Sequence, residues 1–469
     1  MSGAMIKAVD LAIVGAGPAG MAAAVAARVH GLSVALFDEQ PSPGGQIYRN
    51  VTRIGDGARA AILGKDYLAG RALAERFTAS GVAYYPGSTV WRLAEDGVSW
   101  SSAAGGDECA ARRVLVATGA IERPFPVTGW TLPGVMTAGA AQILLKVTGT
   151  VADDAVFVGS GPLLYLVVCQ YLQAGVRIRA ILDTTDAANR GVALRSLPAA
   201  FTAPAYLAKG VRMLATIRRS GIPHHRHVGE ISFCGDDRLR RVSWRDRDGD
   251  HALDCEHAFL HQGVIPNVNM TMAANCAHRW DETQLCWRPE LDDHGRTSKE
   301  WLMVAGDGGG IAGARTAALS GEIAALAIAA DLGRLDRADH ARKSVPLLAA
   351  RRRDQAVRPF LDRLYRPADA LRAPPDDDVI VCRCEEVRRR DLGAAIAEGC
   401  SGPNQLKAFT RAGMGPCQGR MCGNTVVETM AALHCQPPAE LGYYRLRMPI
   451  KPVTIGEIAG LNRNQGAPP

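Results

Sequence analysis

Two copies of one strand–turn–helix–strand pattern, set 144 residues apart (Gly15 to Gly159), constrain the fold of this chain more than anything else in it. In the first copy Leu11-Ala12-Ile13-Val14 reads as an apolar strand and Gly15-Ala16-Gly17-Pro18-Ala19-Gly20 as a turn. Met21 to Arg28 then reads as an Ala-rich helix, and Val34-Ala35-Leu36-Phe37 as a strand ending in Asp38 and Glu39. The three glycines act differently. Gly15 permits the tight turn, Gly17 lets the backbone approach a pyrophosphate, and Gly20 lets helix pack on strand. Pro18 and Ala19 open the helix, whose free N–H groups and positive dipole end face the phosphates. Asp38, 21 residues after Gly17, stands where a carboxylate accepts hydrogen bonds from a ribose. The context is that of a dinucleotide site.

The second copy runs Ala155-Val156-Phe157-Val158, then Gly159-Ser160-Gly161-Pro162-Leu163-Leu164, a helix from Tyr165 to Ala174, and a strand from Arg177 to Leu182 closed by Asp183. Its third glycine is Leu164. A branched side chain there is expected to push the helix off the strand and loosen the phosphate cradle. No Arg cluster for a 2′-phosphate follows Asp183. The second fold is therefore read as a scaffold or as the seat of a non-redox nucleotide, and reduction by NAD(P)H is not expected.

Three further segments carry a resemblance. Pro43-Gly44-Gly45-Gln46, Val114-Leu115-Val116-Ala117-Thr118-Gly119-Ala120 and Trp301-Leu302-Met303-Val304-Ala305-Gly306-Asp307 occur in the order seen in glutathione- and thioredoxin-reductase-like flavoproteins. The resemblance implies FAD, with Gly45, Gln46, Thr118 and Gly119 beside it and Asp307 on its ribityl chain. Disulfide-reductase chemistry is excluded, since it needs two neighbouring cysteines against the flavin and none follows Asp38 until Cys109.

Twelve cysteines in a chain without a secretory leader are not expected to form disulfides. Four make a pattern: Cys382-Arg383-Cys384-Glu385-Glu386, a helix over 389–398, then Gly413-Met414-Gly415-Pro416-Cys417-Gln418-Gly419-Arg420-Met421-Cys422. Four thiolates among glycines suit a [2Fe–2S] cluster, because soft sulfur binds iron and glycine leaves room for sulfide. Structural zinc is the rival. The unit has few apolar residues, and a segment this small is expected to need such a staple. His224-His225-Arg226-His227 and the set Cys276, His278 and Cys286 are weak metal candidates, and His261 reads as part of a crossover and not as a base.

At 469 residues the chain should hold about three domains. The fold expected is α/β, a two-dinucleotide-binding-domain flavoprotein with a small C-terminal helical [2Fe–2S] domain. Its parts are an FAD-binding domain over 1–128 and 258–335, an NAD(P)-type domain over 129–257, a basic connector over 336–375, the cluster domain over 376–435 and a tail over 436–469. Net charge is +7, and Arg334 to Arg372 holds 11 basic and 5 acidic residues. That stretch is the expected docking surface, and nucleic acid is not an expected partner. No apolar run is long enough to span a bilayer. The expected location is the cytoplasm, with peripheral attachment to the inner membrane as its variant.

Together with Pro43 to Arg49 and the tail Arg447-Met448-Pro449-Ile450-Lys451-Pro452-Val453, these segments resemble the α (A) subunits of opine oxidase, D-hydroxyproline dehydrogenase, dye-linked L-proline dehydrogenase and hydrogen cyanide synthase over nearly the whole chain. The cluster segment is similar to the bacterioferritin-associated-ferredoxin type. The resemblance implies an FAD-containing β subunit of the D-amino-acid-oxidase type that oxidises the substrate, a small γ subunit, an FMN between subunits and a quinone-type acceptor. The alternative is a self-contained NAD(P)H-dependent flavoprotein reductase with a C-terminal cluster.

Overall fold

A computed structural model describes residues 8–461. Most of the N-terminal segment read for a leader, and the end of the tail, lie outside the described residues. The first sheet has strands in the order Ala83–Pro86, Val34–Asp38, Ala8–Val14, Gly105–Val116, Gly97–Ser102 and Thr89–Ala94, with Leu302–Val304 also pairing Gly105–Val116. The centre is parallel and in step: Val14 opposes Phe37 and Val116, and Val116 opposes Val304. Four chain turns, after Val14, Phe37, Val116 and Val304, thus leave one carboxyl edge, where open α/β sheets bind ligands. Helices Pro18–Val29 and Ala314–Asp331 cover one face, and the core between helix and sheet is built largely from alanine.

The second sheet is parallel throughout, in the order His224–Arg226, Ile178–Asp183, Ala155–Gly159, Ala258–His261, Val135–Thr137. Strand Ala258–His261 lies in this sheet, so the return to the first domain comes after His261 and not at residue 258. The return itself is Val264–Pro266, which pairs antiparallel with Ala120–Glu122 in a two-stranded ribbon between the domains.

The basic connector forms helices Arg337–Gln355 and Arg358–Leu364. Many of its cations are engaged within the chain: Arg351 and Arg352 with Asp293, Arg358 with Asp362, Arg342 with Asp339, Arg372 with Asp369 and Glu428. This leaves less free charge for a docking surface than the sequence suggested.

The cysteine unit holds helices Arg389–Ala397, Pro403–Thr410 and Gly423–His434. It has a closed core of Val381, Val387, Leu392, Leu406, Val426 and Met430, which the tail completes with Tyr444 and Leu446. The expectation of few apolar residues in this unit was drawn without that tail. Farther on, Ile450 N–H donates to the Trp91 carbonyl at 3.1 Å and Lys451 pairs with Glu39 at 2.6 Å, strapping the unit to the first domain.

Candidate functional site

The first cradle is built as the glycines require. Gly15 has φ of 107°, and a Cβ on Gly20 would stand 1.8 Å from the Gly15 carbonyl oxygen. The helix entered at Pro18 has no side-chain cap, which leaves its first N–H groups for a ligand. Gly45 faces the turn so closely that a Cβ there would lie 2.8 Å from Gly17 Cα. Gln46 sits over the same edge, its carbonyl held by Lys146 Nζ at 2.9 Å. Thr118 keeps a buried hydroxyl with no partner, beside Gly119, whose carbonyl accepts from Asn267 N–H at 3.0 Å. Asp307 Oδ1 accepts from Ala312 and Gly313 N–H at 2.9 and 3.0 Å, fixing the start of the helix over 314–331. An uncapped helix start, a glycine-floored groove and an orphaned hydroxyl fit a dinucleotide.

Asp38 serves the loop itself. Its Oδ2 accepts from Ala16 N–H at 2.5 Å and its Oδ1 from Gln40 N–H at 2.7 Å. Burial raises its pKa against the lowering effect of those two bonds. Glu39, half exposed, pairs with Lys451 of the tail.

Lys146 was not singled out in the sequence. It is buried, bonded to Gln46 O and to Gln142 Oε1 at 2.8 Å, and Gln142 Nε2 donates to Gln170 at 2.9 Å. Burial, then the Arg49 charge, pushes its pKa down to about 7 from an ordinary 10.5. The unfolded chain therefore holds this proton more tightly than the folded one. The cost is full below pH 7 and fades toward 10.5, so stability should rise with pH across that window, by up to about 1.4 kcal/mol per unit. In urea titrations between pH 7 and 10, Lys146→Met should flatten that rise. An unchanged slope would show that Lys146 stays charged.

The second cradle differs in the places that matter. Gly161 enters its helix at φ 107°, where Gly17 is extended at −73°. The first helical bond, Tyr165 N–H to Gly161 O, is stretched to 3.4 Å against 2.9 Å for Met21 to Gly17. Leu164 is wholly buried in the core between helix and sheet. Asp183, at the ribose position, is already occupied: Tyr165 OH donates to its Oδ2 at 2.8 Å, Thr185 N–H to its Oδ1 at 2.9 Å, and His224 lies 3.4 Å away. Burial works to raise its pKa, but these bonds outweigh it and hold the carboxylate ionised. Asp183 is thus tied to side chains of its own domain, where Asp38 of the first cradle is bonded to backbone N–H groups alone. Excess NADH or NADPH should leave bound flavin oxidised in stopped-flow mixing, and reduction at many turnovers per second would overturn this reading.

The weak metal candidates separate. His225 and His251 flank Asp246 at 3.4 and 2.8 Å, while His278 bonds Thr271 at 2.9 Å. His261 is buried with Nδ1 2.8 Å from Glu122 Oε1, under the second cradle.

The four patterned cysteines come together at one end of helix Gly423–His434. The Cys422 thiol lies against Cys382, and Cys384 against Cys417. Cys382 is drawn down to about 6, first by the Cys422 hydrogen bond, against burial, with backbone N–H groups of Gly413, Glu385 and Cys384 adding to it. Burial raises Cys384, and the bond to Cys382 raises Cys422. Among the described residues no three His, Cys, Asp or Glu side chains converge on a point for one ion. Cys417 also acts on Cys422 and Cys382 on Cys384, so the four thiols form one interacting group with N–H donors around Cys382. Cys400 is buried in the unit's core and Cys435 is exposed past the helix end.

Two links join this unit to the first cradle. Asn269 Nδ2 donates to the Gln418 carbonyl, next to Cys417, at 3.0 Å, two residues on from the Asn267 that holds Gly119. Buried Glu428, one turn beyond Asn424, takes Arg123 at 3.2 Å on one oxygen and Arg372 on the other, and Arg123 also donates to Gln284 O and Leu285 O at 2.8 Å.

The fold and the first site define a two-domain pyridine-nucleotide-type oxidoreductase with a cysteine-bearing appendage. The pyridine nucleotide-disulphide oxidoreductase family matches residues 9–321, and the sarcosine oxidase A3 domain matches 379–461. The chain is 45% identical over 463 residues to the A subunit of opine oxidase from Agrobacterium tumefaciens (strain Ach5), covering 96% of this chain and 92% of that one. It is 32% identical over 478 residues to the hydrogen cyanide synthase subunit HcnB of Pseudomonas aeruginosa, covering 96% and 98%. L-proline dehydrogenase from P. horikoshii shares the fold at a TM-score of 0.69 and 20% identity, covering 97% of this chain and 81% of that one. The chain belongs to the pyridine nucleotide-disulphide oxidoreductase family and, within it, to the group of opine oxidase A subunits and HcnB.

Proposed function

We propose that this chain is the electron-transfer α subunit of a heteromeric FAD-dependent dehydrogenase that oxidises the C–N bond of an amino acid or opine. The observation that carries the reading is the direct seating of the four-cysteine unit on the flavin-type cradle, Asn269 bonding the Gln418 carbonyl beside Cys417. The cradle of Gly15, Gly17, Gly20, Gly45, Thr118, Gly119 and Asp307 would hold FAD, and Cys382, Cys384, Cys417 and Cys422 a [2Fe–2S] cluster. Four soft thiolates among glycines and backbone N–H donors suit such a cluster, with structural zinc as the rival. When bound, these groups accept electrons in pairs and release them singly, which the step from amine oxidation to a quinone-type acceptor requires. The chain's own part is to orient them: Asn267 and Asn269 fix the cradle loop against the Cys417 loop, and Glu428 locks the helix that follows Cys422. An FMN and an oxidase-type β subunit would stand on the input side.

Asp183 bonded to Tyr165 and Thr185, and Leu164 in place of the third glycine, speak against the NAD(P)H-reductase alternative. The test is co-expression with an oxidase-like β subunit. The isolated chain should reduce no dye with any opine or amino acid, and the co-purified pair should do so. Robust dye reduction by the isolated chain would refute the α-subunit reading.

A further inference from the structure

The second nucleotide domain carries a surface that none of the chemistry above uses. From Ala187 to Gly229 the sequence holds no Asp or Glu, while Arg190, Arg195, Lys209, Arg212, Arg218, Arg219 and Arg226 give it seven cations. Of the fifteen large apolar side chains exposed among the described residues, six fall in the 23 residues from Val192 to Leu214. These are Val192, Leu194, Phe201, Tyr206, Val211 and Leu214, with Phe201 63% and Val211 67% exposed. A segment that is one-twentieth of the chain thus shows two-fifths of its exposed large apolar groups.

The helix Pro204–Arg219 explains how this comes about. Only Ile217 of its sixteen residues is buried. Leu207, Val211, Leu214 and Arg218 follow one another at helical spacing and share a face. Leu207 packs against the small core of Ala200, Ala203 and Val357, so the stripe starts at the body of the protein and runs outward over Val211 and Leu214. Among the described residues only Lys209 of these seven cations has a carboxylate partner, Asp66 at 2.7 Å. The arginines are left facing solvent.

We infer that this face, the helix Pro204–Arg219 with the short helices Ala188–Leu194 and Leu197–Ala200 before it, is a docking surface for an anionic lipid bilayer. Exposed apolar side chains among arginines that have no carboxylate partner, with Asp66 on Lys209 and Asp354 on Tyr206 the acids that touch the helix, match the acyl–headgroup boundary, where the apolar groups enter and long Arg side chains reach back to phosphates. An acidic patch on a partner protein is the competing occupant; the exposed apolar groups set among the arginines favour the bilayer, whose acyl–headgroup boundary takes both. No helix among the described residues is long and apolar enough to cross a membrane, so the contact is peripheral. The inference goes beyond the electron-transfer reading and rests on surface chemistry alone; it would bring the chain to where a lipid-dissolved acceptor resides.

Co-sedimentation of the full chain with phosphatidylcholine vesicles, with and without phosphatidylglycerol, tests it. Binding should require the anionic lipid and weaken as salt rises. Arg218→Gln/Arg219→Gln should lower the partition coefficient by about 30-fold, from roughly five-fold per cation, and Val211→Ser/Leu214→Ser should abolish saturable binding. Arg241→Gln/Arg245→Gln, on the exposed strand of the neighbouring sheet, should bind as the parent does. Retained flavin and an unchanged circular dichroism spectrum establish that each variant is folded. Absence of binding by the parent, or equal loss in the control pair, would overturn the inference. So would a face variant that keeps vesicle binding but no longer assembles with a β subunit, which would make this face a subunit interface. The vesicle readout needs no turnover, so failure of the electron-transfer reading would show separately, as dye reduction by the isolated chain.

Discussion

Replacing Cys417 or Cys422 by serine is expected to strip iron from the chain while leaving its flavin in place. The two sites share no side chain. The flavin-type cradle is assembled from the carboxyl edge of the first sheet, and the cysteines meet around loops that precede and follow helices of a separate core. Iron should fall from about two per chain to none, and the flavin band should stay at parental intensity. Electron transfer to a one-electron acceptor should be lost, while photochemical reduction of the flavin survives. Cys400→Ser is the control, since that thiol is buried in the unit's core and bonds Gly402 O at 3.5 Å, away from the four. Its cost should be one of stability without iron loss. Stoichiometric zinc and no iron in the parent would sink the cluster assignment, and concurrent loss of flavin would show that the two sites fold as one.

What the sequence made legible is what is local. The first fingerprint, its strands and its helix lie within 31 residues, from Ala8 to Asp38, and the structure follows the reading closely. The Cys-x-Cys pair and the glycines around Cys417 were equally visible, because loop and thiol are neighbours in the chain. Leu164 showed where the second cradle departs. It could not show that Tyr165 donates to Asp183, because a helix residue and a strand end meet only once the sheet exists. The boundary at 258 was misplaced for a similar reason: an apolar strand between two domains carries no mark of which sheet it joins. Partners hundreds of residues apart, such as Arg123 with Glu428 or Ile450 with Trp91, leave no periodic signal at all. The acid-free window over 187–229 was there to be counted, but its charge is offset elsewhere in the chain, and a sum over the whole conceals it.

Glu428→Ala should be strongly destabilising. The carboxylate is 4% exposed and lies between two guanidinium groups that are themselves almost out of water, Arg123 at 5% and Arg372 at 8%. Burial draws Arg123 down to about 10, and it lowers Arg372 with the nearby Arg123 charge adding to it. Removing the one anion between them leaves two like charges facing each other in a dry interface, a loss of about 3–5 kcal/mol. Glu428→Gln keeps the Asn424 bond and the shape but not the charge, so it should fall between the parent and Ala. The damage has a direction. Arg123 stands at the ribbon between the two nucleotide folds, Arg372 at the end of the connector, and Glu428 on the helix that follows Cys422. The first thing to loosen should be the seating of the cysteine unit on the cradle. In hydrogen exchange, protection should therefore drop around 423–434 and 264–269 before it drops in the first sheet, and flavin retention should outlast the slowing of electron transfer to the cluster. Arg123→Met with Arg372→Met and Glu428→Leu should recover most of the stability, because the cost lies in unpaired charge and not in lost volume. A Glu428→Ala chain as stable as the parent would mean that water enters this interface and that the unit is held by its tail instead.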